Sequence, residues 1–355
     1  MKKRVIAWIM AVGMAVSLAG CGGGQGQAPA GAEAQTTAGP QAPSGGGGNT
    51  IKIICPYGVG GTADAVARKY ALVAGKVRPE YNFIVENMTG GDGFAAANYY
   101  TDQPASTREL LVYGYGVAYR HDLGRKYETE VVDFDRNDIY PIATNDDRTW
   151  IMYTSPGTTL AELLEKSRTS GLKMSGGNPL SDPHLALGSL IAQEGGKVMV
   201  VPYDGGAAQK KGLTDGEVDV FVGTTQAALE DVEAGTMVPV LAFSETEFHG
   251  FKGPDGDIAV PGIAGEAMAP DLNPANDYTG SILAAGGFIA TRRGADQEWI
   301  DEMVQISKEV WADEEFSGWI TEIGLNRLEL YGDEADAHLE EACAKAVAAF
   351  ENLSK

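Results

Sequence analysis

The stretch IKIICPYGVGGTADAVAR, residues 51–68, constrains the fold more than any other. Ile51, Ile53 and Ile54 form a short apolar run of strand length. Pro56 stops it, because proline has no N–H to give a sheet ladder. Gly58, Gly60 and Gly61 then make a loop that can enter backbone conformations closed to other residues. Thr62 or Asp64 can N-cap a helix whose apolar face begins Ala63, Val66, Ala67, Tyr70. The free N–H groups and positive dipole end of such a helix suit an anion. A tight β–α turn that binds nothing looks the same in sequence. No Gly-Lys-Ser/Thr follows, so a nucleoside triphosphate is not implied.

The same unit recurs along the chain. Residues 82–86 read as a strand that runs into Asn87-Met88-Thr89-Gly90-Gly91-Asp92-Gly93 and a helix from Phe94. Gly91-x-Gly93-x-x-Ala96 fits a dinucleotide fingerprint in form, but no acidic strand end follows at the required distance. Strands are expected at 109–114, 139–144 and 150–154, with Thr158 or Thr159 capping a helix through Arg168. Another strand enters Ser175-Gly176-Gly177-Asn178, after which Ser181 or Asp182 caps a helix with Pro183 at its permitted first position. Val198 to Val201 is a strand ended by Pro202-Tyr203-Asp204-Gly205-Gly206, which echoes Pro56-Tyr57 and its glycines. Residues 218–223 lead into Thr224-Thr225-Gln226 and a further helix, and 238–243 and 288–290 have strand character. The charged, poorly periodic stretch 120–138 reads as solvated loop, and 248–277 as a Gly/Pro-rich connection. Two amphipathic helices, 297–311 and 334–352, close the chain.

The N-terminus has a different character. Lys2, Lys3 and Arg4 precede an apolar stretch from Val5 to Ser17, and Leu18-Ala19-Gly20-Cys21 resembles a bacterial lipobox. Residues 1–21 are therefore expected to be a lipoprotein signal peptide with Cys21 as the acylated residue; an ordinary secretory signal is the alternative, and both export the chain. Two acyl chains suffice for stable anchoring, so the expected location is extracytoplasmic and lipid-anchored. Residues 22–50 lack large apolar side chains and form a flexible tether, reaching roughly 30 Å as a coil. The remaining cysteines, Cys55 and Cys343, fall in an expected strand and helix and read as two separate buried thiols, although export permits a disulfide.

A formal net charge of -22 argues against nucleic acid or an anionic membrane surface as partner. It leaves a small anion open, since N–H dipoles in a cleft outweigh a distant field. There is no GxSxG or HExxH, and none of the four histidines has metal-ligand spacing. No catalytic residue, metal site or cofactor is expected. His184 can donate to an anion or serve its own helix start. Tyr57 and Tyr203 can wall a cleft or pack beneath their loops, and Asp64 fixes a helix start more readily than it meets an anion. Ligands of open α/β sheets bind outside the carboxyl ends of strands. A cleft rich in backbone donors and poor in reactive groups suits binding better than chemistry.

Taken in order, several motifs resemble one family: Pro56-Tyr57-x-x-Gly60-Gly61-x-x-Asp64-x-x-Ala67-Arg68, Val85-Glu86-Asn87-x-x-Gly90-Gly91-x-Gly93, Val201-Pro202-Tyr203-x-Gly205-Gly206, Gly216-x-Val218-Asp219, and Val260-Pro261 followed by Glu266. The chain resembles the substrate-binding receptors of tripartite tricarboxylate transporters, the Bug-type extracytoplasmic solute receptors. The resemblance implies a two-lobed α/β type II periplasmic-binding-protein fold with a hinge and an interlobe cleft. Residues 51–144 and 244–355 would form lobe 1, and 145–243 lobe 2. It implies capture of a mono-, di- or tricarboxylate and delivery to a membrane permease. Ligand contacts would come from Tyr57, Gly60, Gly61, Thr62 and Gly91, and from Ser175, Asn178, Ser181, His184, Tyr203, Gly205, Gly206 and Thr224. Val59 stands where the family has proline, and the loop 176–182 departs from its Gly/Ser-rich pattern. Alternatives on the same architecture are an exported enzyme and a ligand sensor.

Overall fold

The computed structural model describes residues 49–203, 206–253 and 256–353. The expected signal peptide, Cys21, the tether as far as Gly48, and Gly205 lie outside the described residues. Twelve strands are described: β1 (Asn49–Cys55), β2 (Tyr81–Asn87), β3 (Glu109–Gly114), β4 (Ile139–Arg148), β5 (Ile151–Thr154), β6 (Leu172–Gly176), β7 (Val198–Pro202), β8 (Val220–Gly223), β9 (Val238–Ala242), β10 (Phe248–Gly253), β11 (Gly256–Val260) and β12 (Ala285–Arg292). The helices are α1 (Thr62–Val77), α2 (Phe94–Asp102), α3 (Tyr115–Tyr127), α4 (Leu160–Thr169), α5 (Asp182–Gln193), α6 (Gly206–Thr214), α7 (Thr225–Glu233), α8 (Gln297–Ala312), α9 (Glu314–Glu322) and α10 (Asp333–Leu353).

The strands make two five-stranded mixed sheets and one hairpin. The first sheet has the order β2-β1-β3-β12-β4, with β1 parallel to β2 and β3, and β12 antiparallel to β3 and β4. The second has the order β7-β6-β8-β5-β9, with β6 parallel to β7 and β8, and β5 antiparallel to β8 and β9. Ile51, Ile53, Ile54 and Cys55 are all buried, the near-continuous pattern of a strand covered on both faces. On α1, Val66, Ala67, Tyr70, Val73 and Ala74 recur at helical spacing and pack with Trp299, Met303, Ile306 and Val310 of α8. A second core gathers Tyr153, Leu213, Val218, Phe221 and Met237.

The chain passes between the sheets at Thr149 and Trp150, between β4 and β5. The return path runs beside it, since the Phe243 N–H donates to the Trp150 carbonyl at 2.9 Å. Helix α10 packs on α3 and β4 at the first sheet and on α5 at the second.

Three expectations are corrected. The stretch 120–138 begins inside a helix, α3, in which Arg120 is only 4% exposed. Arg120 is buried because Glu130, just past the end of α3, accepts from its guanidinium and Phe94 lies under it. Within the Gly/Pro-rich stretch lies the antiparallel hairpin β10–β11, whose Phe251 and Val260 join the core of the second sheet. Helix α9, started by Asp313 accepting from the Glu315 and Phe316 N–H groups, adds Phe316 and Ile320 to the first core. Cys55 and Cys343 are free and buried.

Candidate functional site

Every parallel strand ends at a loop or helix start built of small residues. In the first loop Gly60 takes φ 85°. Buried Asp64 reaches back from α1: its Oδ2 accepts from the Gly60 N–H and Arg68 Nε, both at 3.0 Å, and its Oδ1 from Asn87 Nδ2 at 2.7 Å. Asn87 Nδ2 also donates to the Tyr57 carbonyl at 2.8 Å, so one carboxylate and one amide fix the first loop to the end of β2. Burial pushes the Asp64 carboxyl up, but Arg68, the Gly60 N–H and Asn87 outweigh it and hold it below the usual range. In the second loop Gly90, Gly91, Asp92 and Gly93 all have positive φ. Arg120 Nη1 supports that turn by donating to the Gly91 and Asp92 carbonyls at 3.2 Å each.

Five helix starts converge here. Helices α1, α2, α3, α5 and α7 are preceded by Gly61, Gly93, Gly114, Ser181 and Thr224, and none of these makes a side-chain cap bond. By contrast, α4 starts at the opposite end of the second sheet and is closed by a capping box between Thr159 and Glu162. Thr62 Oγ1 on α1 bonds Gln226 Oε1 on α7, joining one sheet's helix start to the other's. A Cβ on Gly116, in the first turn of α3, would lie 2.7 Å from Asp182 Oδ1 on α5. A Cβ on Gly93 would lie 2.6 Å from Val117 Cγ2 and 3.6 Å from Pro56 Cβ, which seats the second loop on the first and on α3.

The floor is made by the ends of β3, β4 and β12. The Tyr57 hydroxyl would be 2.9 Å from a Cβ on Gly114, and the Gly286 carbonyl 3.6 Å from it. Gly286, at φ 109°, lies directly against Asp146. Asp146 Oδ2 holds Arg148 Nε, and Asp146 and Asn145 are both buried. Burial pushes the Asp182 carboxyl up to about 6, with Asp92 adding to the effect and Arg148 and Arg120 opposing it. Burial likewise raises the Tyr57 hydroxyl, which stays protonated.

The other residues named from sequence are distributed as follows. Ser175 is fully buried at the end of β6, with an Oγ that has no hydrogen-bond partner. Asn178 Oδ1 accepts from the Leu180 N–H at 2.8 Å, an Asx-type turn that leads to Ser181 at the start of α5. His184 Nδ1 bonds the Pro179 carbonyl of its own loop, and burial lowers its pKa, keeping the ring neutral. Tyr203 turns toward Gly212, its hydroxyl donating to Glu217 Oε2. Thr224 is buried and its carbonyl accepts from the Tyr153 hydroxyl at 3.0 Å. Gly206 opens α6. Sequence reasoning missed Arg148, Gly116 and the approach of Asp182 to the first turn of α3. The signal for Asp182 was present in part, since an acidic residue in a helix's first turn beside a candidate loop was read only as a cap. No group of three or more His, Cys, Asp or Glu among the described residues could hold a metal ion.

No protein-family model matches the chain, and no curated protein does. Solved structures do. The R. palustris protein Rpa4515, solved with adipate, superposes with a TM-score of 0.68 over 86% of this chain and 97% of its own, at 19% identity. Periplasmic binding protein BugD gives 0.66 over 86% and 98%, at 17% identity. MatC (Rpa3494) from Rhodopseudomonas palustris, with bound malate, gives 0.65 over 86% and 99%, at 16% identity. The chain has their fold, the type II periplasmic-binding-protein architecture of two mixed sheets with flanking helices.

Proposed function

We propose that this chain is an extracytoplasmic solute receptor of the tripartite tricarboxylate type, which captures a small carboxylate-bearing metabolite between its two sheets and delivers it to a membrane permease. The observation that carries this reading is the convergence of five helix starts with no side-chain caps at the carboxyl ends of the strands. First-turn N–H groups of α1, α3 and α7, each at the positive end of a helix dipole, are preorganised donors for a carboxylate, whereas in α2 the Phe94 and Ala95 N–H groups go to the Gly91 and Gly90 carbonyls and in α5 Pro183 has none. Thr62, Gly91, Thr224 and the Ser181 hydroxyl would contribute donors, while Gly60 and Gly61, whose N–H groups go to Asp64 and the Gly58 carbonyl, would shape the loop around the ligand. Tyr57 would wall the site, and the loop from Ser175 through Asn178 to His184, with Tyr203 and Gly206, would border it on the second sheet.

The relatives of this fold solved with adipate and with malate support a carboxylate as ligand. Two lobes joined at 149–150 and at Phe243 would hinge around the ligand, closing on it before presentation to the permease. The chain binds its ligand without turnover. Residues 1–21, with Cys21, would export the chain and anchor it by acylation, the segment to Gly48 serving as tether.

Thermal unfolding of the purified protein against mono-, di- and tricarboxylates, amino acids and dinucleotides tests this. A ligand at about a hundred times its Kd adds roughly 2.7 kcal/mol. Stabilisation by a carboxylate-bearing compound is expected. Stabilisation by dinucleotides alone, or chemical conversion of the bound compound, would sink the receptor reading.

A further inference from the structure

We propose that Arg148 is the residue that reads the ligand's charge: its two Nη groups, left over from the pairing with Asp146, receive a carboxylate at the floor of the cleft. The inference rests on the solute-receptor reading and names the residue in it that sets specificity.

Arg148 closes β4 and directly precedes the crossing at Thr149 and Trp150, so it stands where the two sheets meet. Asp146 holds it through Nε alone; Asp146 Oδ1 has no hydrogen-bond partner, so this is not a two-pronged pair. Asp146 is fully buried and packed on Gly286, where a Cβ would lie 3.1 Å from Oδ2, so the guanidinium has a rigid anchor. The other guanidiniums beside the glycine loops are engaged. Arg120 gives its Nη groups to Glu130 and to the Gly91 and Asp92 carbonyls, and Arg68 gives Nε and Nη2 to Asp64 and Asn87. The Nη groups of Arg148 make no hydrogen bond among the described residues. With the side chain only 16% exposed, water serves them poorly, and a bound acceptor gains accordingly.

What faces Arg148 defines that acceptor. Its charge acts on the Tyr57 hydroxyl, from the first loop, and on Asp182, at the start of α5, yet it bonds neither. Tyr57 lies against Gly114 and Asp182 against Gly116, so the two flank the first turn of α3. A carboxylate set between them takes the flat fork of Arg148 and the Tyr57 O–H. An amide in its place loses the charge and turns an NH2 toward a group that has only donors. Asp182 and Asp146 repel any anion that the guanidinium does not hold directly, so without its cation this floor is acidic.

Isothermal titration of the protein with succinate, glutarate and adipate, each against its half-amide, and with butyrate tests the proposal. In the wild type both ends of a diacid gain from a charge, one at Arg148 and one at the helix starts. In R148Q only the second does, and a half-amide can bind with its carboxylate at that end. For the best-bound pair the wild type should therefore favour the diacid at least about tenfold, and R148Q should bring the ratio to about one. R148K, which keeps the charge but not the fork, should fall between. D146N/R148Q, which leaves no unpaired acid behind, keeps the test available if R148Q does not fold. If the wild type binds the half-amides as tightly as the diacids, if the ratio survives in R148Q or D146N/R148Q, or if the variants lose both members of a pair alike, the Arg148 proposal is overturned and the receptor reading stands. Binding of butyrate with no binding of any diacid overturns it in the same way. If no carboxylate-bearing compound binds the wild type, both fall together.

Discussion

Asp64 gives the sharpest test of how the first glycine loop is held. Its two oxygens serve four donors in two sets: the Gly60 N–H and Arg68 Nε on Oδ2, Asn87 Nδ2 and Arg68 Nη2 on Oδ1. In D64N one oxygen becomes an NH2, and whichever way the amide is turned it faces two donors. Two hydrogen bonds to a charged acceptor are lost, each worth about 1.5–3 kcal/mol. Arg68 is 39% exposed and recovers part of its share from water. The expected loss is therefore about 3 kcal/mol, read by urea unfolding extrapolated to water. The pH dependence follows from the lowered carboxyl pKa. Ionised Asp64 stabilises the fold fully above the ordinary carboxylate value of about 4, and the contribution fades as pH falls through the lower folded value. Wild type and D64N should thus differ at pH 7 and converge toward pH 3. A difference under about 0.5 kcal/mol at pH 7, or one that is unchanged at pH 3, would refute the clamp.

Two further outcomes are expected. G93A should lose about 2 kcal/mol or more, because φ 101° is hostile to a side chain and its Cβ would strike Val117; V117A should restore only the part due to the clash, as measured by the same unfolding curves. D147N should stabilise the protein by about 1–2 kcal/mol at pH 7, because burial, reinforced by Asp146, lifts the Asp147 carboxyl to about 6. An acid whose folded pKa is raised costs stability above that value and nothing below its unfolded one, so the gain should vanish between pH 6 and pH 4. A gain that persists at pH 4 contradicts this account.

Much of the frame was legible because local chemistry and tertiary structure agree. Pro56 after an apolar run, the glycines that follow, and Asp64 as a fixer of the helix start all act within a few residues of each other. So do Thr159 and Glu162, whose capping box needs no distant partner. What escaped depends on partners far along the chain. Arg120 reads as solvated until Glu130 and the second loop close around it, and then it sits inside a helix that nothing in its periodicity announced. The hairpin β10–β11 is hidden by its glycines, and Phe251 and Val260 reveal their role only against the second sheet. The candidate site divides along the same line. Its donors come from glycine loops that advertise themselves. Its acids and its cation, Asp182, Asp146 and Arg148, acquire meaning only when β4 and α5 bring them near Tyr57.

The strand order has a consequence for how the chain assembles. All five strands of the second sheet lie in one uninterrupted run from Ile151 to Ala242, and the hairpin that adds Phe251 and Val260 to its core ends at Val260, so that sheet and its core can form while the rest of the chain is still arriving. The first sheet cannot. β12 sits between β3 and β4, so until residues 285–292 are inserted, β3 offers a bare edge and β4 has no place to attach. Pairing over such a separation is slow, and an open edge invites pairing with other chains. Closure of the floor of the candidate site, where Gly286 meets Asp146, is therefore expected among the last events of folding. A chain cut short before β12 would present a formed second sheet, without α10 to cover α5, and an adhesive, unfinished first one.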